Sequence, residues 1–357
     1  MSSSPASENP TSENPTKDLS PSASVSADEL LPPIEPPSGG FILQLFVIPA
    51  VIVLVVMLFG LLFTTLATQG EQDPLKIVAA LRSSNQARWQ KADELANMLR
   101  PGMEQRYPEL KFNSELATEL AKLLDEQVDE GLDDKNSISL RYYLCRVLGE
   151  FNVDEGVDVL LKTAREDQER DVRREAINAL AVLSSAFGEL DPPKSIEHPQ
   201  LVETFTALAN DEDDLLRSQT AFALGVFAMS PDADPLLMSE LELLVDDLYS
   251  DARYNAALGL ARQGNLKAVA AVTEMFDTEA LAMNIKSETS PALQRFKRDT
   301  ILDNALDAAR LLIEKNPDAD LAKLRTAVKQ FAESAADWQP APAPKSLVKR
   351  ARELVAE

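Results

Sequence analysis

The chain has 357 residues, 45% hydrophobic and 26% charged, with 58 acidic against 35 basic side chains and a formal charge of −23. That balance opposes binding to phosphate backbones, because nucleic-acid affinity comes largely from counterions released by Lys and Arg. One cysteine excludes an internal disulfide framework, and one histidine removes most zinc, haem and triad chemistry.

Residues 1–40 hold eight of the 22 prolines and the near-duplicate tract SENPTSENPT, with too few large apolar side chains to offset the entropy of ordering. A disordered Ser/Pro-rich tail is expected there. Lys17 is its only basic residue against six acids, so −5 of the −23 lies in this segment and −18 in the remainder.

Residues 41–67, Phe41 to Ala67, carry no charge over 27 positions. About 20 apolar residues cross a hydrocarbon core at about 1.5 Å each, so a transmembrane helix is expected, with Pro49 near its first turns and Gly60 late. A cleaved signal peptide is the alternative, TLA before Thr68 being loosely cleavage-like. The apolar run is long for one, and no basic segment precedes it. Residues 21–40 lack Lys and Arg, whereas Lys76, Arg82, Arg88 and Lys91 follow closely, which favours a cytoplasmic C-terminal side.

Beyond the apolar segment, three- and four-residue hydrophobic spacing predicts an all-helical chain. Four segments align without gaps, starting at Leu140, Val172, Leu216 and Ala252, and a fifth from Ala87 fits more loosely. Their arginines, Arg88, Arg141, Arg173, Arg217 and Arg253, each follow an apolar residue. Seven positions on stand Leu95, Leu148, Leu180, Leu224 and Leu260. At the eighth stand Ala96, Gly149, Ala181, Gly225 and Ala261, small enough for a neighbouring helix to approach closely. Each arginine helix is followed by a second striped segment, such as Leu237, Leu241, Leu244 and Leu248, or Val269, Val272 and Phe276. Helix pairs of this kind bury their faces by stacking, so residues 73–335 are expected to form an α-solenoid.

A terminal unit follows: a helix from Ser290, without the arginine register, and another from Asp318 to Ala335. Residues 336–344 read as a stiff Ala/Pro linker. Residues 345–357 form a short basic amphipathic helix with Leu347, Ala351, Leu354 and Val355 on one face. Docking on the acidic solenoid, lying on an anionic membrane and remaining free are its three destinations; the short linker favours docking.

The segments VRREAINALAVL and LRSQTAFALGVF resemble HEAT-like repeats, including the short form of phycobilisome lyase-type proteins, with a pattern like VRxxAxxALGxL; the resemblance covers Asp73 to Glu333. It implies paired antiparallel helices and acids shortly before each arginine that pair with a neighbouring unit's arginine. Asp171, Asp213 or Asp214, and Asp251 fill that place here, while the Arg141 unit offers Ser137.

Signatures of catalysis are missing from the sequence. His198 reads as a helix-start residue, and Cys145 as a small buried hydrophobe. The acidic runs, such as Asp211 to Asp214, lack the spacing of a calcium loop and read as helix-start or solvated acids. Phosphate-loop, dinucleotide and nucleophile-elbow motifs are absent. The expectation is therefore a non-enzymatic, single-pass membrane scaffold without cofactor or metal, binding a protein partner, basic in character, through an acidic solenoid. The alternatives are an accessory to an enzyme complex and a processed extracytoplasmic protein.

Overall fold

The computed structural model describes residues 38–68, 74–82, 88–100, 102, 107, 109–230, 232–336, 338–339 and 341–356. The expected tail lies outside the described residues except for residues 38–40, as do Ala87, Pro101 and Pro108. The chain divides into two compact units, Met1–Glu71 and Gln72–Glu357.

The first unit contains α1 (Gly39–Ile42), a five-residue π-helix (Leu43–Val47) and α2 (Ile48–Thr68). Within it, Leu43–Leu62 has a mean hydropathy of 3.1 and no buried share, which makes it long and apolar enough to cross a membrane. Helix starts at Gly39, so Pro49 lies well inside it rather than in the first turns. A proline ring excludes the carbonyl four residues back, and the widened π turn stands immediately before Pro49.

The second unit is a run of helices: α3 (Pro74–Arg82), α4 (Arg88–Leu99), α5 (Ser114–Glu130), α6 (Lys135–Gly149), α7 (Val157–Glu166), α8 (Arg170–Gly188), α9 (Leu201–Ala209), α10 (Asp214–Phe227), α11 (Pro235–Leu244), α12 (Ser250–Gln263), α13 (Val269–Glu274), α14 (Thr278–Ile285), α15 (Pro291–Lys315), α16 (Ala322–Ser334) and α17 (Lys345–Ala356). No strand occurs among the described residues. The arginine helices α4, α6, α8, α10 and α12 pack each on the next, and α15 continues the row. A second row, α3, α5, α7, α9 and α11, stacks in the same order. This two-row stack is an α-solenoid.

Pairing within the solenoid departs at α6 and α8 from the expectation that each arginine helix joins the helix after it. Both pack on the helix before and make no comparable contact with α7 and α9, whereas α10 packs on both α9 and α11, and α12 on both α11 and α13. Turn chemistry explains the choice. The turns entering the arginine helices are short: Gly131 closes α5 in the left-handed region (φ +56°), and Asp134 and Asp213 cap α6 and α10 with their carboxylates. The connections leaving α6 and α8 are longer, the second containing a cis Asp191–Pro192 bond.

The seventh-position leucines, Leu95, Leu148, Leu180, Leu224 and Leu260, are all buried, as are the eighth-position alanines. At Gly149 a Cβ would lie 2.7 Å from the Ala179 Cα and 2.8 Å from its carbonyl oxygen. At Gly225 it would lie 3.0 Å from the Gly259 Cα, so two glycines face each other between α10 and α12. Each contact joins an eighth position to the sixth position after the next unit's arginine.

Three local readings need correction. Leu248 is 98% exposed, because α11 ends at Leu244 and the turn carrying Leu248 gives its carbonyl to Arg253. Phe276 lies beyond the short α13, and Asp277 caps an additional helix, α14. The helix expected from Asp318 starts at Ala322, whose amide is taken by the Asp320 carboxylate.

Candidate functional site

The five arginines of the repeat lie along one line of the solenoid, where each guanidinium joins its own helix to its neighbour. Arg141 donates from Nε (2.7 Å) and Nη2 (3.3 Å) to the two carboxylate oxygens of Asp167, and from Nη1 to the Leu132 carbonyl (2.8 Å). Arg173 reaches Asp211 (2.7 Å) and the Ala164 carbonyl (2.9 Å). Arg217 grips Asp247 with two bonds (2.7 and 3.1 Å) and the Asp211 carbonyl (2.8 Å). Arg253 takes Glu274 (3.1 and 2.5 Å) and the Asp247 carbonyl (2.5 Å). Planar guanidinium forks match carboxylates in this way, and the remaining donors satisfy carbonyls left over at helix ends.

The three aspartates also shape the turns in which they sit. Asp167, Asp211 and Asp247 each accept the amide two residues on, from Glu169 (2.9 Å), Asp213 (2.9 Å) and Tyr249 (2.7 Å). Each therefore closes the turn into its own arginine helix while holding the arginine of the unit before. Burial pushes the Asp247 carboxyl up, but the Arg217 hydrogen bonds, the Tyr249 amide and the Arg217 charge outweigh it and hold the group below its ordinary range. Arg217 is correspondingly raised.

These partners are not the acids implied by the resemblance. Asp171 pairs with Arg170 and Arg174 on its own helix, and Asp213 caps α10 while reaching Arg170 of the preceding unit (3.9 Å) rather than its repeat arginine, Arg173. Asp214 contacts Arg217 within the same unit, and Asp251 binds Lys297. Asp167, Asp211 and Asp247 stand six residues before Arg173, Arg217 and Arg253, a constant offset present in the sequence. They sit in the turn, three residues before the helix start, which is why they reach the neighbouring unit.

The two ends of the line depart from this pattern: Arg88 meets neutral groups, and Arg298 meets backbone carbonyls together with Asp299, the next residue of its own helix (2.6 Å). Arg88 donates to Gln127 (3.0 Å) and Ser137 (3.5 Å). At the other end stands Arg298, absent from the sequence register because Lys297 precedes it and its seventh and eighth followers, Ala305 and Leu306, reverse the large-then-small order. This 1%-exposed guanidinium donates to the carbonyls of Gln339 (3.0 Å), Ala341 (2.5 Å) and Pro342 (3.5 Å). The Ala/Pro stretch is therefore a strap bound across α15 rather than a stiff free linker.

His198 shares a cleft of about 790 Å³ with Asp154, Asp158, Lys194 and Glu197. Its Nε2 faces Asp158 (2.5 Å) and its Nδ1 accepts the Gln200 amide (3.2 Å), so neither ring nitrogen is left to act as a base. Cys145 is fully buried between helices, and that burial raises its thiol well above the ordinary value. The Glu175 carboxyl is pushed up to about 7, chiefly by burial, against hydrogen bonds from Tyr142 and Asn178. Among the described residues, no group of three or more His, Cys, Asp or Glu is placed to hold a metal ion.

Exposed apolar side chains are the other distinctive surface. On α11, Leu236 and Leu243 stand two turns apart at 58% and 68% exposure, with Glu240 between them and Asp246 just beyond.

The helix rows, the close-packed small residues and the arginine line together define a HEAT/armadillo-type solenoid. Residues 128–198 match the family model of HEAT repeats. The chain is similar to an engineered protein (20% identity, TM-score 0.39, covering 66% of this chain and 97% of that one). It is also similar to a designed armadillo repeat protein in complex with the peptide (KR)4 (17%, 0.39, 67% and 99%). Human deoxyhypusine hydroxylase in complex with glycerol is a third similar structure (14%, 0.29, 81% and 98%). No curated protein matches the sequence.

Proposed function

We propose that the protein is a single-pass membrane scaffold whose solenoid holds another protein and catalyses no reaction. The observation that carries this reading is the α11 face, where Leu236 and Leu243 stand in water beside Glu240 and Asp246. Apolar side chains fixed on a rigid helix and rimmed by one sign of charge fit a partner that brings apolar anchors and basic residues. Anchoring is supported by Leu43–Leu62, and the −23 charge favours a protein partner over nucleic acid. The Lys and Arg that follow the apolar helix favour a cytoplasmic solenoid.

Crosslinking in native membranes, with identification of the captured protein, tests the reading. Capture should fall at least tenfold for Leu243→Asp and weaken as salt is raised from 50 to 300 mM, about the range over which surface charges become screened. Equal capture by the wild type and a Leu236→Asp/Leu243→Asp double variant would remove α11 as the docking face.

A further inference from the structure

The C-terminal helix lies on a face that is built like a receptor. α15 carries Asp299, Asp303 and Asp307 at four-residue steps, on one side of the helix. Asp299 holds Arg298 (2.6 Å), while Asp303 and Asp307 both hold Arg350 of α17, the latter at 2.7 Å. α17 packs on α16, the helix before it, and on α15, the last of the arginine row, just as α6 packs on α5 and α4. It therefore takes the place of one more arginine helix, burying Leu347, Ala351 and Leu354.

Its attachment is uneven along its length. The strap before it is held by buried groups: Arg298 beneath three carbonyls, Trp338 edge-on to Phe331 (5.2 Å), and the Ala343 amide on the Ala335 carbonyl (2.9 Å). α17 itself has 12 residues, short for a helix standing alone. Its ionic contacts lie at the surface, with Arg350 38% exposed and its two carboxylates 50% and 54% exposed, so they are weakened by salt, and they hold through the convergence of two carboxylates on one guanidinium.

We propose that α17 is a displaceable occupant, and that the face of α15 and α16 beneath it is a docking site for a basic amphipathic helix of another protein. The helix that fits presents apolar residues at the spacing of Leu347, Ala351 and Leu354, with an arginine one residue before the central one. The strap stays bound while α17 leaves. A tethered helix acts at about millimolar effective concentration, so the tail keeps the face closed to weak competitors and yields to a tighter one.

The test uses the full chain in detergent micelles and a labelled peptide copying residues 341–357, followed by fluorescence anisotropy. Arg350→Glu sets a third carboxylate against Asp303 and Asp307 and should release the cis helix, so this chain should bind the peptide at least tenfold more tightly than the wild type. A peptide carrying the same Arg350→Glu change should bind neither chain. Equal binding of the copied peptide by both chains, or binding by neither, overturns the proposal. Hydrogen exchange on the unaltered chain provides a reading free of any folding defect. Amides of α17 should exchange at least a hundredfold faster than those of α15 and α16, and equal protection would make α17 a permanent part of the core.

Discussion

Gly149 gives the sharpest test of the close helix contacts. Gly149 is the last residue of α6, and at a helical position with open space Gly→Ala stabilises by up to about 1 kcal/mol through backbone entropy alone. Here the new methyl would lie 2.7, 2.8 and 2.9 Å from three Ala179 atoms, two of them backbone, where ordinary contact begins at 3.4 Å. α6 and α8 would have to part by roughly 0.7 Å, and overpacking of this kind costs about 1–3 kcal/mol, so the net effect of Gly149→Ala should be a loss of up to about 2 kcal/mol. Gly188 is the internal control: it ends α8, and a Cβ there meets nothing within 4 Å. Gly188→Ala should leave stability unchanged or raise it by up to about 1 kcal/mol. Urea denaturation followed by circular dichroism at 222 nm measures both. If Gly149→Ala is as stable as Gly188→Ala, the glycine is not required for the approach of the two helices.

Further outcomes follow from the arginine line and its surroundings. The Arg141 and Asp167 side chains are 2% and 1% exposed, so Arg141→Met, which leaves a buried carboxylate unpaired, should cost about 3–5 kcal/mol in urea denaturation, and adding Asp167→Leu should recover most of it. Glu175 has its carboxyl raised from 4.5 to about 7, so the stability it contributes is complete below pH 4.5 and is lost as the pH rises through about 7. Glu175→Gln should therefore match the wild type at pH 4.5 and exceed it by up to about 3 kcal/mol at pH 8, read from denaturation midpoints at the two values. Arg298→Met should free the strap and speed tryptic cleavage after Lys345 several-fold, read by mass spectrometry. Alkaline extraction should leave most full-length protein in the membrane fraction; release with the peripheral proteins would refute the anchor.

The arginine register, the leucines seven positions on and the small residues after them can be read directly from the sequence, because each repeats an interior requirement of the stacked helices. Three of the acids that hold these arginines, Asp167, Asp211 and Asp247, are written there too, at a constant six residues before the next arginine, whereas Glu274, which holds Arg253, follows no such offset. A reading confined to the residues next to the arginine instead meets Asp171, Asp214 and Asp251, which serve their own helix ends and neighbours. Arg298 escapes the pattern because the terminal unit packs Ala305 and Leu306 in reversed order. Its guanidinium is bound by the carboxylate of the next residue, Asp299, and by backbone carbonyls, which leave no side-chain signal across the units. Which neighbour each arginine helix joins depends on turn lengths and caps, a property of connections rather than of helical periodicity.

The clasps and the glycine contacts also have a mechanical consequence. Each clasp pins an arginine helix near its N-terminus. The close approach at Gly149 or Gly225 pins it again eight residues later, about 12 Å along the axis at 1.5 Å per residue. Two fixed points on each rigid rod set both its spacing and its crossing to the next, so this row resists stretching and twisting. Among the described residues, the row of α5, α7, α9 and α11 is joined by buried apolar side chains and by scattered polar contacts, such as Lys162 to Asp125 (2.6 Å) and Arg165 to Thr204 (3.3 Å), with no two-pronged carboxylate grip like that of Arg141 or Arg217. A load pulling the array along its length is therefore borne by the clasped row, and bending occurs by fanning of the other row, as a book opens away from its spine.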